Sequence, residues 1–332
     1  MSKSYQTTIV ISLVCLFFFN ILVTSSLAPS SLPKQIFSWM AGAVLFVLSK
    51  NINLKQVKYN RYLILFISCS LLLLTIIFGS NVRGSKRWIG AGFFRLQPSE
   101  IIKPWLAAIL ASTQNHLLLI PPILITIAQP DLGSAISMFL MLIPLFFYNK
   151  ITRTHLIILF SAFLILSPLV WQFGLKDYQK SRVTSFINPQ ADPLGKGYNL
   201  IQSQIAIGSA NIFGKGYRQG TQGQLLFLPE KHTDFVFAAL TEEFGLIGAF
   251  LLIGIYFVII KTLINKAYQN INNPSYFLFC LIIATQIWSQ AFINIGMNIG
   301  IMPITGIPLP FMSVGGSSIM SLLISLGIVF SN

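Results

Sequence analysis

Long apolar runs separated by short polar clusters pattern this chain almost from end to end. Runs near spanning length at about 8–28, 33–49, 61–79, 99–114, 116–129, 131–148, 155–174, 234–261, 275–300 and 308–331 predict roughly ten transmembrane helices. The expected fold class is therefore an all-α, polytopic integral membrane protein. The weakest member is 117–128, which would rise only about 18 Å as a helix against a hydrocarbon core of about 30 Å. Pro121, Pro122 and Pro130 interrupt that region. A single broken helix there, with Asp131 buried inside it, would leave nine spans and place the basic turn at Lys150 and Arg153 on the outer side, so ten are preferred.

Basic residues orient the pattern. Lys50, Lys55, Lys58 and Arg61, then Lys150 and Arg153, then Lys261 and Lys266 fall on one side, whereas the short opposite loops hold only Lys34. The positive-inside rule makes that side, and with it both termini, cytoplasmic. Two longer loops break the rule, the first with Arg83, Lys86, Arg87 and Arg95. The second, the large extracytoplasmic loop at about 176–233, carries Lys176, Lys180, Arg182, Lys196, Lys215, Arg218 and Lys231. Either loops of such length escape the rule, or these cations hold an anionic substrate.

Composition narrows the choice. With 332 residues, 54% of them hydrophobic, no stretch is left over for a separate soluble domain, so 1–332 reads as one membrane domain. The first run, 9–27, is longer than a signal-peptide core and is expected to be retained. Cys15, Cys69 and Cys280 all lie in apolar segments, which argues against disulfides and zinc. A net charge of +14 raises nucleic acid as a partner, but membrane burial favours anionic headgroups or a phosphorylated lipid instead.

Acids are scarce enough to be informative, since lipid excludes carboxylates that lack a partner or a polar cavity. Of the eight, Glu230 and Asp234 stand in Leu228-Pro229-Glu230-Lys231-His232-Thr233-Asp234-Phe235, just before a long apolar run that carries Glu242 and Glu243. Thr233 is placed to cap the coming helix, and Asp234 to serve as a general base at its mouth. His232 is a rival base or a hydrogen-bonding strut. Glu242 lies about 12 Å further along and reads as a support for the site. Glu100 and Lys103, three residues apart, share a helix face and can form an ion pair. Pro104 leaves the Glu100 carbonyl without its helical partner. Asp131, in Gln129-Pro130-Asp131-Leu132-Gly133-Ser134, favours a helix start, as cap or as part of a polar cavity. Between 208 and 216 the glycines superficially suggest a phosphate loop, but Gly216 occupies the position that needs Ser or Thr. Tyr198, Ile201, Ile205 and Ile212 could form the apolar stripe of an interfacial helix. The segments 294–300 and 303–310, followed by Ser313-Val314-Gly315-Gly316-Ser317-Ser318, are expected to break a membrane segment.

Together, 84–103, 129–133, 192–216, 229–245 and 294–318 resemble the SEDS (shape, elongation, division and sporulation) family of bacterial peptidoglycan glycosyltransferases. The run Asp192-Pro193-Leu194-Gly195-Lys196-Gly197-Tyr198 is more similar to elongation-type members than to the division-type paralogue. The resemblance implies polymerisation of lipid II on the outer face of the bacterial plasma membrane, with Asp234 as the catalytic base and undecaprenyl pyrophosphate as leaving group. Arg83, Lys86, Arg87, Arg95, Lys103, Lys196, Lys215 and Lys231 are then candidate substrate-binding cations, because a departing diphosphate calls for preorganised positive charge. Glu100, Asp131, His232, Thr233, Glu242 and Ser313 are supporting candidates. No cofactor is evident and no metal-ligand spacing is visible, while a divalent cation remains open as a helper. Expected partners are lipid II, the undecaprenyl-linked glycan and a class B penicillin-binding protein. The alternative from another class is a flippase for lipid-linked precursors. Val314 stands where the family has a tyrosine.

Overall fold

A computed structural model describes residues 2–82, 85–91, 94–148, 184–195 and 197–331, with single residues at 161, 172 and 180. The helix expected at 155–174 lies outside the described residues, as do Arg83 and Lys196. Elsewhere the apolar runs become helices. Among the described residues five are long and apolar enough to cross a membrane, namely Ser4–Leu27, Pro29–Ser49, Arg61–Phe78, Val236–Gln269 and Pro274–Ile299, and shorter apolar helices cover His116–Ala128, Leu132–Tyr148 and Gly316–Val329. In chain order, α1 is Ser2–Leu27, α2 Leu32–Ser49, α3 Leu54–Tyr59, α4 Arg61–Phe78, α5 Pro98–Ile101 and α6 Lys103–Thr113. Next come α7 Ile120–Ala128, α8 Leu132–Leu140, α9 Ile143–Tyr148, α10 Tyr198–Gly208 and α11 Thr221–Gln224. The last three are α12 Val236–Gln269, α13 Pro274–Ile299 and α14 Gly316–Val329.

Prolines account for most departures from the expected boundaries. The break between α5 and α6 falls at Ile102, two residues before Pro104, whose missing N–H cannot continue the helix. Pro121 and Pro122 sit in the first turn of α7, where absent donors cost nothing, so they start that helix instead of interrupting it. The expected 131–148 helix is two pieces, with Pro144 following the gap between α8 and α9. Pro303, Pro308 and Pro310 keep 303–315 irregular, and α14 begins at Gly316, not near 308. By contrast α13 runs unbroken through Asn294 and Asn298 and stops at Gly300, whose φ of 86° makes a left-handed cap.

The basic loop after α4 folds into an antiparallel three-stranded sheet, β1 Ser80–Val82, β2 Ser85–Ala91 and β3 Phe94–Leu96, with Ser80 opposite Trp88 and Gly90 opposite Arg95. At the centre of the bundle, α6 buries Leu106, Ala107, Ala108, Ile109, Leu110 and Ala111 completely, as a helix surrounded by others must. Small residues bring α2 and α14 together: added Cβ atoms at Gly316 and Gly42 would strike Ser38 and Leu323, and one at Gly327 would strike Phe46 and Ser49.

A break inside α12 shapes the site. Gly245 takes φ 70° and ψ −169°, which orphans helical donors and acceptors on either side. The segment 211–216 lies along the gap and satisfies them. Lys215 N donates to Glu242 O at 2.9 Å and Gly216 N to Glu243 O at 3.0 Å, while Leu246 N and Ile247 N each donate, at 3.2 Å, to Asn211 O and Ile212 O. A Cβ on Gly245 would collide with the Ile212 carbonyl and the Gly214 amide. Gly245→Ala is therefore expected to destabilise the protein by about 1–3 kcal/mol through strain alone, measured by denaturant unfolding in detergent micelles.

Candidate active site

The stretch 228–235 forms turns, and α12 begins only at Val236, with Phe235 at the N-cap position. Thr233 is accordingly not the cap: its hydroxyl donates to Glu230 Oε2 at 2.9 Å, because two residues still separate it from the first helical turn. The capping comes from another helix. Asn298 on α13 accepts from Ala238 N through Oδ1 at 3.1 Å and donates through Nδ2 to Asp234 O at 3.1 Å, and Asn294 Nδ2 donates to the same carbonyl at 3.2 Å. On the other side, Ser313 Oγ donates to Thr233 O at 2.6 Å while accepting Leu309 N at 2.8 Å, and Val314 N donates to His232 O at 2.8 Å. Since Val314 acts through its main chain, the missing tyrosine leaves this bond intact. Asp234 thus presents a half-buried side chain from a backbone fixed from two directions.

Asn294 and Asn298 were legible only as irregularity in a membrane segment. The signal was their spacing of four, which continues upstream through Gln286 and Gln290, all buried on one face of α13. Asn298→Ala removes two bonds at the start of α12, one donated to Asp234 O before the helix and one accepted from Ala238 N within its first turn. About 1–3 kcal/mol of stability should be lost, and activity should fall further than that of a variant at an equally buried apolar position on α13 such as Ile287→Ala.

Asp131 gathers a second cluster. As N-cap of α8 it accepts Ser134 N at 3.2 Å, and it also receives Gln97 Nε2 at 2.8 Å, Ser99 Oγ at 3.2 Å and Arg87 Nη1 at 3.4 Å. Gln97 N in turn donates to Ser317 Oγ at 2.9 Å. The 309–317 segment therefore touches both the Asp131 cluster and the backbone leading to Asp234. Glu100 and Lys103 form the expected ion pair at 2.5 Å, and both are buried. The sealed Lys103 ammonium faces Glu100 and offers no surface to an incoming ligand.

Glu242 and Glu243 hold the loop before Asp234. Glu242 is fully buried and accepts Lys215 Nζ at 2.7 Å, Gln222 N at 2.9 Å, Thr221 Oγ1 at 3.0 Å and Gly223 N at 3.1 Å. Glu243 Oε1 accepts Ser26 Oγ at 2.6 Å and Gln224 Nε2 at 2.9 Å. Lys231 donates to Gly223 O at 2.6 Å. Its burial lowers the ammonium pKa below the ordinary lysine range, an effect that the charge of Glu243 opposes. Lys215 and Lys231 are thus engaged in fastening the loop. Lys86 and Arg95 are exposed, whereas Arg87 is partly exposed, pairs with Asp131 through Nη1, and has a buried Nε without a partner among the described residues. Of the described candidate cations, Lys86 and Arg95 are the most exposed, while Arg87 and Lys215 are similarly accessible at 26% and 25%.

A many-helix membrane protein that displays a clamped carboxylate, with exposed cations on a small sheet elsewhere in the chain, defines a class of membrane-embedded proteins suited to anionic lipid-linked ligands. The model of the FtsW, RodA and SpoVE cell cycle proteins matches residues 4–331, and the chain belongs to this family, the SEDS proteins. It is 38% identical over 288 residues to the peptidoglycan glycosyltransferase MrdB of Escherichia coli K12, covering 80% of this chain and 76% of that one. To a probable peptidoglycan glycosyltransferase FtsW of Buchnera aphidicola it is 36% identical over 281 residues, covering 79% and 69%. A chain from a peptidoglycan synthase complex, solved to show the structural coordination of polymerization and crosslinking, superposes with a TM-score of 0.82 at 28% identity, covering 97% of this chain and 95% of that one. The rod shape determining protein RodA of Thermus thermophilus shares the fold, with a TM-score of 0.70 at 24% identity over 97% of this chain and 94% of that one.

Proposed function

We propose that this chain polymerises lipid II into glycan strands during cell elongation, acting on the outer face of the bacterial plasma membrane with both termini in the cytoplasm. Asp234 takes the proton of the acceptor sugar's 4-hydroxyl. That oxygen attacks the anomeric carbon of the donor chain with inversion, the bond to the diphosphate breaks, and undecaprenyl pyrophosphate leaves. Lys86, Arg87 and Arg95 supply donors for the departing diphosphate, whose developing charge they would stabilise.

The observation that carries this reading is the fixation of the 232–234 backbone by Asn294, Asn298, Ser313 and Val314. A base contributes most when its geometry is set before the substrate arrives. The kinship with MrdB supports the substrate, and the likeness to a synthase-complex chain supports a class B penicillin-binding protein as partner. The test is purified protein in lipid nanodiscs given labelled lipid II, with and without such a partner. Glycan polymer should form. Transport of intact lipid II in proteoliposomes with no polymer under either condition would favour a flippase and overturn the assignment.

A further inference from the structure

The loop that precedes Asp234 exposes large apolar side chains at two places. Leu225, Leu226 and Phe227 form one and Ile212 and Phe213 the other, with Leu226 74% and Phe213 80% accessible. Leu226 holds φ 62°, a left-handed conformation that side chains branched and bulky like leucine rarely adopt, so the fold works against local preference to point it outward.

The membrane helices fix the level of both patches. Beyond the Gly245 break, the residues from Leu246 to Gln269 would rise about 36 Å, enough for one crossing, so the crossing begins near Leu246. Ile212 and Phe213 lie at that point, because Asn211 O and Ile212 O accept Leu246 N and Ile247 N. Exposed Ile247 and Phe250 then continue the same apolar surface down α12. The second patch sits at the end of α1: an added Cβ on Gly223 would lie 3.4 Å from Leu27, and Gln224 Nε2 donates to Ser26 O at 3.3 Å. Between the patches, Tyr217 hydroxyl meets Ser25 Oγ at 2.8 Å and Arg218 donates to Ser25 O at 2.8 Å, an aromatic and a cation at the level where membrane proteins place them.

We propose that Ile212, Phe213, Leu225, Leu226 and Phe227 are immersed in the acyl region of the leaflet on the Asp234 side, with Tyr217 and Arg218 among its headgroups. The occupant of this surface is lipid, because the first patch continues the exposed apolar surface of α12 and the second lies level with the end of another spanning helix, α1. The inference does not depend on the proposed chemistry. The loop becomes a shallow membrane anchor that sets the depth of the segment leading to Asp234.

The test uses the full chain in anionic nanodiscs, with Cys15, Cys69 and Cys280 replaced by alanine and a nitroxide placed at Leu226→Cys or, separately, Phe213→Cys. Both positions are exposed, so the labels leave the core untouched. Each label should collide with oxygen, which concentrates in lipid, more often than with a water-soluble nickel chelate, while a label at Gln190→Cys, exposed elsewhere on the loop, should show the reverse. Greater nickel access at either Leu226 or Phe213 would overturn the proposal and leave a water-facing surface suited to a protein partner.

Discussion

Lys103→Met is expected to destabilise the protein by about 3–5 kcal/mol, because it leaves Glu100 buried with its charge unanswered. The pair is closed at 2.5 Å, and relative accessibilities of 0% for Lys103 and 3% for Glu100 leave no water to take over. Pro104 and the break at Ile102 hold the two ends of the pair in separate short helices, so the bond also fixes α5 against α6. The double variant Glu100→Gln/Lys103→Met removes the orphaned charge and should recover most of the loss in denaturant unfolding. Activity should return with stability, since the ammonium has no path to a ligand in this arrangement. A double variant that is stable yet inactive would place Lys103 in contact with substrate instead.

How much of this was legible depended on whether a feature is local. The runs behind α1, α2, α4, α12 and α13 are long and apolar, and lipid-spanning length alone identifies them. Glu100 and Lys103 were readable as a pair because residues three apart share a helix face, and Ile102 at the break between α5 and α6 keeps right-handed helical dihedrals that preserve this geometry. The strands at 80–96 were hidden: the segment is basic and punctuated by glycine, and no clean alternation of apolar and polar residues marks β2. Partnerships across the fold were hidden for another reason. Sequence counts Lys215 and Lys231 among the outer cations but cannot show that Glu242 and the Gly223 carbonyl occupy them. Nor could it show that the α12 cap comes from Asn298, 60 positions away from the amide it accepts, and not from Thr233 beside the helix.

Asp234→Asn carries the other large expectation. Asparagine keeps the size of the side chain and leaves untouched the main-chain bonds from Asn294 and Asn298, so the fold around residue 234 should persist. What is lost is an oxygen able to accept the acceptor's proton. A positioned base contributes about 10²- to 10⁴-fold, and polymerisation should fall by at least the lower figure. Lipid II affinity should change little, because the cations proposed to hold the diphosphate, Lys86, Arg87 and Arg95, all lie in the sheet between α4 and α5.

The most direct measurement pairs these two quantities in one preparation: lipid II binding and single-turnover polymer formation by purified wild type and Asp234→Asn in matched nanodiscs. Near-equal binding with polymer formation lost in the variant is the predicted result. Polymer formed by Asp234→Asn at the wild-type rate would contradict the assignment of that carboxylate as the base.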